Sequence, residues 1–342
     1  MLLLLACMNP LATEAPLHER AATDPSLVVA PPLVAVVPAS AEPDPCDPVR
    51  PFPGDLTLST SELAAAFCGS FNAVGGSLTI ADTDWTDVSA VACLCDVGRD
   101  LVIRDIPALS SLAGLERLGA VAGRLTLANL DSLTEVDLPG LVRVGGRLSV
   151  EPNPDLVAVR GPELVYVGSL SVQYAPRLAT VLFPSLTHIQ KDLALYGSDA
   201  LDDLTGFPAL MRVGGVVYLD QMNGLTSLRG LERLHEVGSL EIVDADLLTS
   251  VAGPRLTTVP GILLLDGNGS LVSLDALSTL TRIGTLDVRD NDTLTELQPL
   301  AGIDAVTGDF IVTHNDRLPS SAAWDIVAEI GEENIAGSVT IQ

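Results

Sequence analysis

The chain has 342 residues, 44 acidic against 18 basic, for a formal charge of −26, and it is 47% hydrophobic but only 4% aromatic. That charge argues against nucleic-acid binding, which needs a basic face to displace counterions from phosphates. The apolar fraction is too high for a disordered acidic chain, and few aromatics beside abundant Leu, Val, Gly and Pro suit many thin, similar layers better than one large core.

The amino terminus reads Met1-Leu2-Leu3-Leu4-Leu5-Ala6-Cys7, an apolar run ending in a small residue, as in a secretory signal. Leu4-Leu5-Ala6-Cys7 resembles the lipobox of bacterial lipoproteins, which implies that Cys7 carries lipid and becomes the first mature residue. The run is short and lacks a preceding basic residue, so a start upstream of Met1 is expected. Residues 8–48 hold many Pro and Ala residues, as in Pro31-Pro32 and Ala41-Glu42-Pro43-Asp44-Pro45, and are expected to form an extended tether. Pro31 and Pro32 also cut the apolar segment 27–37, so it is no membrane helix. The expected location is extracytoplasmic, with the lipid as the only membrane contact, on a bacterial (outer) membrane or cell surface.

Four cysteines follow: Cys46, Cys68, Cys93 and Cys95. An even number clustered at one end of an exported chain reads as disulfides. No histidine lies near Cys93-Leu94-Cys95, which argues against zinc. Cys46 and Cys68 each precede a strand leucine, Leu56 or Leu78, by ten residues, so one column on adjacent turns and a Cys46–Cys68 bridge are expected. Cys93 and Cys95 then pair with each other or stay free.

From residue 49 to 342 an internal period dominates. The unit is Gly-x-φ-x-φ, with φ apolar, as in Gly76-Ser77-Leu78-Thr79-Ile80, Gly123-Arg124-Leu125-Thr126-Leu127 and Gly238-Ser239-Leu240-Glu241-Ile242. First apolar strand residues fall at 56, 78, 101, 125, 148, 170, 193, 217, 240, 263, 286, 310 and 339, in steps of 22 to 24 apart from a last step of 29. Eight residues after most strand leucines comes another leucine (Leu109, Leu133 and so on to Leu318), and a Leu or Val lies three beyond. A third column, from Val121 to Ile283, precedes each strand by three or four. Three apolar sides per repeat can be buried only by stacking neighbours. At about 4.8 Å per rung the twelve intervals give an array roughly 58 Å long. The glycine before each strand is expected at a corner with unusual dihedrals. Asn153, Asn268, Asn291 and Asn315, each five residues after its strand position, are expected to bond the backbone of adjacent turns.

Helical caps are expected at both ends. Ser59-Thr60-Ser61-Glu62 before Leu63-Ala64-Ala65-Ala66-Phe67 reads as a capping box. Trp324, Val327 and Ile330, at helical spacing, mark a second helix that accounts for the long final step. The fold class is thus mainly β, a right-handed parallel β-solenoid of about 12–13 rungs. Strand, Asn-x-x-Leu and a Leu-x-x-Val-x-Gly return resemble the receptor L-domain family, solenoids akin to leucine-rich repeats. The resemblance covers about residues 50–342 and implies a solenoid that binds a protein or glycan. The cysteine-rich modules and kinase that accompany receptor L domains have no counterpart in the sequence.

No Gly-x-Ser-x-Gly elbow, P-loop or dinucleotide fingerprint occurs. His18 lies in the tether; His188 and His235, both five residues before a strand position, are expected to share a column two rungs apart, too far for one metal, and His314 stands alone. Asp82, Asp105, Asp244 and Asp290 fall four residues after their strand leucines, and Asp220 and Asp266 three after. Stacked at a turn they would offer oxygen ligands to Ca²⁺ or an acid–base pair, but turn-forming aspartates on a solvated edge are the simpler expectation. No catalytic residue, metal or cofactor is assigned. The candidate binding face is the outward side of the strands, with Gln173, Tyr196, Tyr218, Glu241 and Leu264 at its centre and Arg104, Arg124 and Arg147 nearer the amino end. The expected function is non-catalytic binding of a protein or glycan at the cell surface; a polysaccharide-active β-helix enzyme and a passive envelope spacer are the alternatives.

Overall fold

The computed structural model describes residues 46–342. Cys7, His18 and the tether as far as residue 45 lie outside the described residues. The fold is mainly β, a parallel β-solenoid of about 11 turns. All thirteen strand positions anticipated from the period stand in one parallel ladder. Leu56 pairs with Leu78 and Leu78 with Leu101, and the series runs on to Phe310 and Val339. Because successive strand side chains alternate between faces, the two φ residues of each strand point inward; Leu125, Leu127, Leu148 and Val150 are fully buried.

Identical positions of successive coils stack, so each apolar column becomes one wall of a continuous core. The column from Val121 to Ile283 is 0–2% exposed. The leucines eight residues after the strand are buried from Leu109 to Leu318, and part of the next column forms a second small parallel ladder, Glu135–Asp137, Ala158–Arg160 and Thr180–Leu182. Two further columns complete the core, as at Leu115 and Leu118 or Leu231 and Leu234, and Phe183 stacks on Phe207 at 5.8 Å.

The four asparagines do bond between coils. Asn268 Oδ1 accepts the Ala245 amide at 3.1 Å and its Nδ2 donates to the Ile242 carbonyl at 3.1 Å. Asn291 and Asn315 repeat the arrangement one and two coils on, and Asn153 makes it with Leu130 and Leu127. Ser198 occupies the same column, fully buried, with no hydrogen-bond partner for its hydroxyl.

Two local expectations change. Apart from Gly54, with φ of 98°, the glycines before the strands do not have positive φ; what demands glycine there is close approach of the coil beneath. A Cβ on Gly238 would lie 2.7 Å from the Gly215 carbonyl oxygen and 2.9 Å from that of Gly214. The left-handed corner falls instead four residues after the strand leucine. Asp82, Asp105, Asn129, Tyr174, Gln221, Asp244, Asp290 and His314 all have φ between 50° and 56°, and Gly197 and Gly267 continue the column. Asp and Asn tolerate this region better than other L-residues, so the aspartates four residues after the strand are backbone corners.

Helix α1, Ser61–Ser70, follows the first ladder strand, and the Thr60 hydroxyl caps it by accepting the Leu63 amide at 3.3 Å. Helix α2, Ser320–Ile330, precedes the last strand. Val327 and Ile330 are buried as anticipated, but Trp324 is 50% exposed. Ala323 and Ile326 complete the buried stripe, and Trp324, one residue (100°) round from Ala323, falls off it.

The disulfide pairing differs from the expected Cys46–Cys68. Cys46 bridges Cys95 and Cys68 bridges Cys93, with Cα separations of 5.8 and 5.6 Å. Column logic requires both cysteines to sit in repeating coil, but Cys68 rides on the inserted α1, facing the next coil. Cys95 accompanies the strand Asp96–Val97, its amide bonded to the Asn72 carbonyl at 2.7 Å.

Non-reducing peptide mapping of the full chain should return Cys46–Cys95 and Cys68–Cys93 peptides, and a Cys46–Cys68 peptide would contradict this geometry. Asn268→Ala strands the Ala245 amide and the Ile242 carbonyl in the core, at roughly 1–3 kcal/mol each, so urea denaturation should show a loss of about 2–6 kcal/mol. Ser198→Ala removes an unpartnered hydroxyl and should be neutral or stabilising.

Candidate functional site

The outward side of the long ladder carries three columns, set by strand alternation: the residue before the first φ, the residue between the two φ, and the residue after the second. The anticipated face residues distribute across all three. Arg124 and Arg147 stand in the first column on adjacent coils. Tyr218, Glu241 and Leu264 are successive partners in the second. Gln173 and Tyr196 are direct partners in the third. Arg104 shares that column but is flanked by Ala81 and Ala128 and paired to Asp105 at 2.8 Å, so it lies apart from the rest.

Around the arginine pair the surface hollows into a groove of about 690 Å³, lined by Arg124, Arg147, Tyr166, Gln190, Lys191 and Asp192 with Glu151, the small residues Ser149 and Ser169, and Gly145, Gly146 and Gly168 among others. The glycines required by coil stacking leave no side chains there. Glu151 accepts the Ser149 hydroxyl at 2.8 Å, and Asp192 accepts the Val216 amide at 3.2 Å. Tyr166 donates to Gln190 Oε1 at 2.5 Å, and the Arg143 guanidinium lies 4.0 Å from its ring centre. Arg124, Arg147 and Lys191 form no ion pair among the described residues.

Beyond the groove come the remaining tyrosines. Tyr174, 55% exposed at a left-handed corner, meets Tyr196 edge to face at 4.8 Å. Tyr218 donates to Asp220 Oδ2 at 2.5 Å; that bond, with burial and the nearby carboxylates, holds its hydroxyl proton far more firmly than usual. Lys191, Tyr166 and Tyr174 escaped the reading by columns, but composition held a signal. Lys191 is the single lysine of the chain, and all four tyrosines fall between residues 166 and 218.

The carboxyl-terminal part of the face is acidic. Asp220 and Asp266 lie on the strands, not at the turn as anticipated, with Asp266 paired to Arg289 at 3.0 Å. Burial pushes the Glu241 and Asp287 carboxyls above the usual range, against the pull of Arg289 at Asp287; Asp244 rises through burial and neighbouring aspartates. Among the described residues no group of three or more His, Cys, Asp or Glu is placed to hold a metal ion.

His188 and His235 do not share a column. His188 pairs with Arg212 and Arg212 with Glu236, because the strand Arg212–Asp220 carries one extra residue between Val213 and Val216 and shifts the next coil by one place. Both histidines are exposed, bonded to Thr187 and to the Arg233 carbonyl. No protein-family model matches the chain, and no curated protein is significantly similar to it.

Asp287 offers a test of the face's electrostatics. Its Oδ1 is buried without a hydrogen bond and 3.7 Å from Arg289 Nε. With its folded pKa raised above the unfolded value of about 3.9, the folded state holds the proton longer, so stability falls as pH rises between the two values. Asp287→Asn should therefore raise the urea midpoint at pH 7 and leave it nearly unchanged at pH 3.5. An equal gain at both would show that the buried charge is not the cause.

Proposed function

We propose that this chain is a non-catalytic binding module of the cell surface, similar to receptor L domains, held to a bacterial membrane by lipid at Cys7 and presenting its outward sheet face to a protein or glycan. One observation carries the reading. In a chain with 44 acidic and 18 basic residues, the only lysine, two arginines free of ion pairs and all four tyrosines gather on neighbouring coils of one face. Tyrosine and arginine provide large contact area and directional donors at little entropic cost. The two disulfides accord with an oxidising, extracytoplasmic compartment. No helix among the described residues is long and apolar enough to cross a membrane, which accords with attachment through a lipid.

Full-length protein applied to an array of acidic and neutral glycans, and separately to solubilised envelope proteins, should bind saturably. The Tyr196→Ala/Tyr218→Ala double variant should bind at least tenfold more weakly, and no glycan should yield new reducing ends. Turnover would overturn the non-catalytic reading. Absence of binding, or binding indifferent to these tyrosines, would favour a passive spacer.

A further inference from the structure

The column just before each strand leucine has a structural duty. In seven coils an Asp, Ser or Thr there accepts a backbone amide of the next coil. Asp55 accepts from Ser77, Asp100 from Arg124, Ser169 from Asp192, Asp192 from Val216, Ser239 from Ile262, Thr285 from Asp309 and Asp309 from Ser338, at 2.7–3.5 Å. Two of them, to Val216 and to Ile262, fall where a strand bulges and the main-chain ladder slips. The column lacks an acceptor at Val216, at Ile262 and, on two adjacent coils, at Arg124 and Arg147. A guanidinium has five donors and no acceptor, so neither arginine can make this bond. The corner column is broken nearby in the same way. Where Asp, Asn or Gly fills most coils, Tyr174 holds φ at 53°, a left-handed conformation that an aromatic residue adopts only under strain. Departures from a fold's own local rules concentrate at functional sites; of those in these two columns, the charged pair Arg124 and Arg147 and the aromatic Tyr174 lie at or beside the groove, whereas Val216, Ile262, Gln221 and His314 stand outside its lining.

The chemistry of the lining selects among ligands. Arg124, Arg147 and Lys191 present donors free of ion pairs, and outnumber Glu151 and Asp192, each of which has one carboxylate oxygen held, by the Ser149 hydroxyl and by the Val216 amide. Paired guanidinium forks match planar, bidentate oxyanions, carboxylates above all. No aliphatic side chain lines the groove; its only large apolar surface is the Tyr166 ring. A protein interface of useful affinity buries an apolar core, and this groove has none to give. Polar walls, hydroxyl-bearing Ser149 and Ser169, and tyrosine rings beyond the groove suit a sugar, whose C–H faces pack on aromatic rings while its hydroxyls bond to side chains. The coil spacing of about 4.8 Å sets Arg124 and Arg147 close to one sugar length apart.

We propose that the groove at Arg124, Arg147 and Lys191 recognises a carboxylate-bearing polysaccharide, a uronate chain whose carboxylates lie on the two arginines and whose ring faces pack on Tyr174 and Tyr196. The assignment rests on the binding-module reading and names its ligand class.

The test uses the full chain with four probes: polygalacturonate, the same polymer fully methyl-esterified, dextran, and poly-glutamate, read by calorimetry or biolayer interferometry. Polygalacturonate should bind, with at least a tenfold loss on methyl esterification, in Arg124→Gln/Arg147→Gln and in Tyr174→Ala/Tyr196→Ala. Arg177→Gln, outside the groove and paired to Asp155, should bind as wild type, and circular dichroism should show each variant folded. Equal binding of the esterified polymer, or indifference to the arginine pair, overturns the uronate assignment. Binding of poly-glutamate in preference to polygalacturonate overturns it in favour of an acidic peptide. Failure of polygalacturonate to bind also overturns it; dextran binding that depends on Tyr196 and Tyr218 would leave the binding-module reading standing, whereas silence toward every glycan and envelope protein ends both.

Discussion

Everything in this molecule depends on parallel coil-on-coil pairing. Each strand hydrogen-bonds to its counterparts one period away on either side, at a separation of about 4.8 Å, so every residue lies against its equivalents in the neighbouring coils. A side chain that suits the position in one coil must suit a stack of copies. Leucine stacked on leucine makes a wall of core. Asparagine stacked on asparagine, as at Asn268, Asn291 and Asn315, makes a chain of amide bonds in which each residue serves the backbone of the coil before it. Glycine recurs because the preceding coil's carbonyl already fills the space a Cβ would need.

The same constraint explains why charge is handled as it is. Repulsion between like charges on adjacent coils is built into a stacked column, and a chain of charge −26 meets it repeatedly. Where acids recur in the column before the strand, each accepts a backbone amide, as at Asp55, Asp100, Asp192 and Asp309. At the corners they occupy a left-handed conformation that few other residues accept, and Asn129 spans to Asp105 at 2.7 Å. In the column between the two inward strand residues no such duty exists, and there burial at Glu241 and Asp287 raises the cost of the charge. An acidic repeat protein is thus stable where its carboxylates do structural work and least comfortable on the face left open for a partner.

A face on a solenoid becomes specific by abandoning repetition. Small side chains at Ser149 and Ser169 and glycines at 145, 146 and 168 open the groove, two arginines replace backbone-capping acceptors, and a tyrosine takes a corner meant for aspartate. None of these residues is unusual alone. Their adjacency follows from a period of 22 to 24 residues, which brings positions far apart in sequence, such as Arg124 and Lys191, onto one surface.

The sequence by itself determined the period, the inward columns and the asparagine ladder, because stacking repeats each signal, four times for the asparagines and thirteen for the strand positions, and an apolar residue has one way to face in a strand of period two. The anticipated strand positions, from Leu56 to Val339, all pair as their spacing requires. Only the tertiary structure decided matters that hang on single, unrepeated events. One extra residue between Val213 and Val216 separated His188 from His235. The inserted helix α1 carried Cys68 away from Cys46 and onto Cys93, and the rotation of α2 turned Trp324 to solvent. The groove belongs with these: its residues come from neighbouring coils, and no periodicity marks them, since a binding site is made where the period is broken.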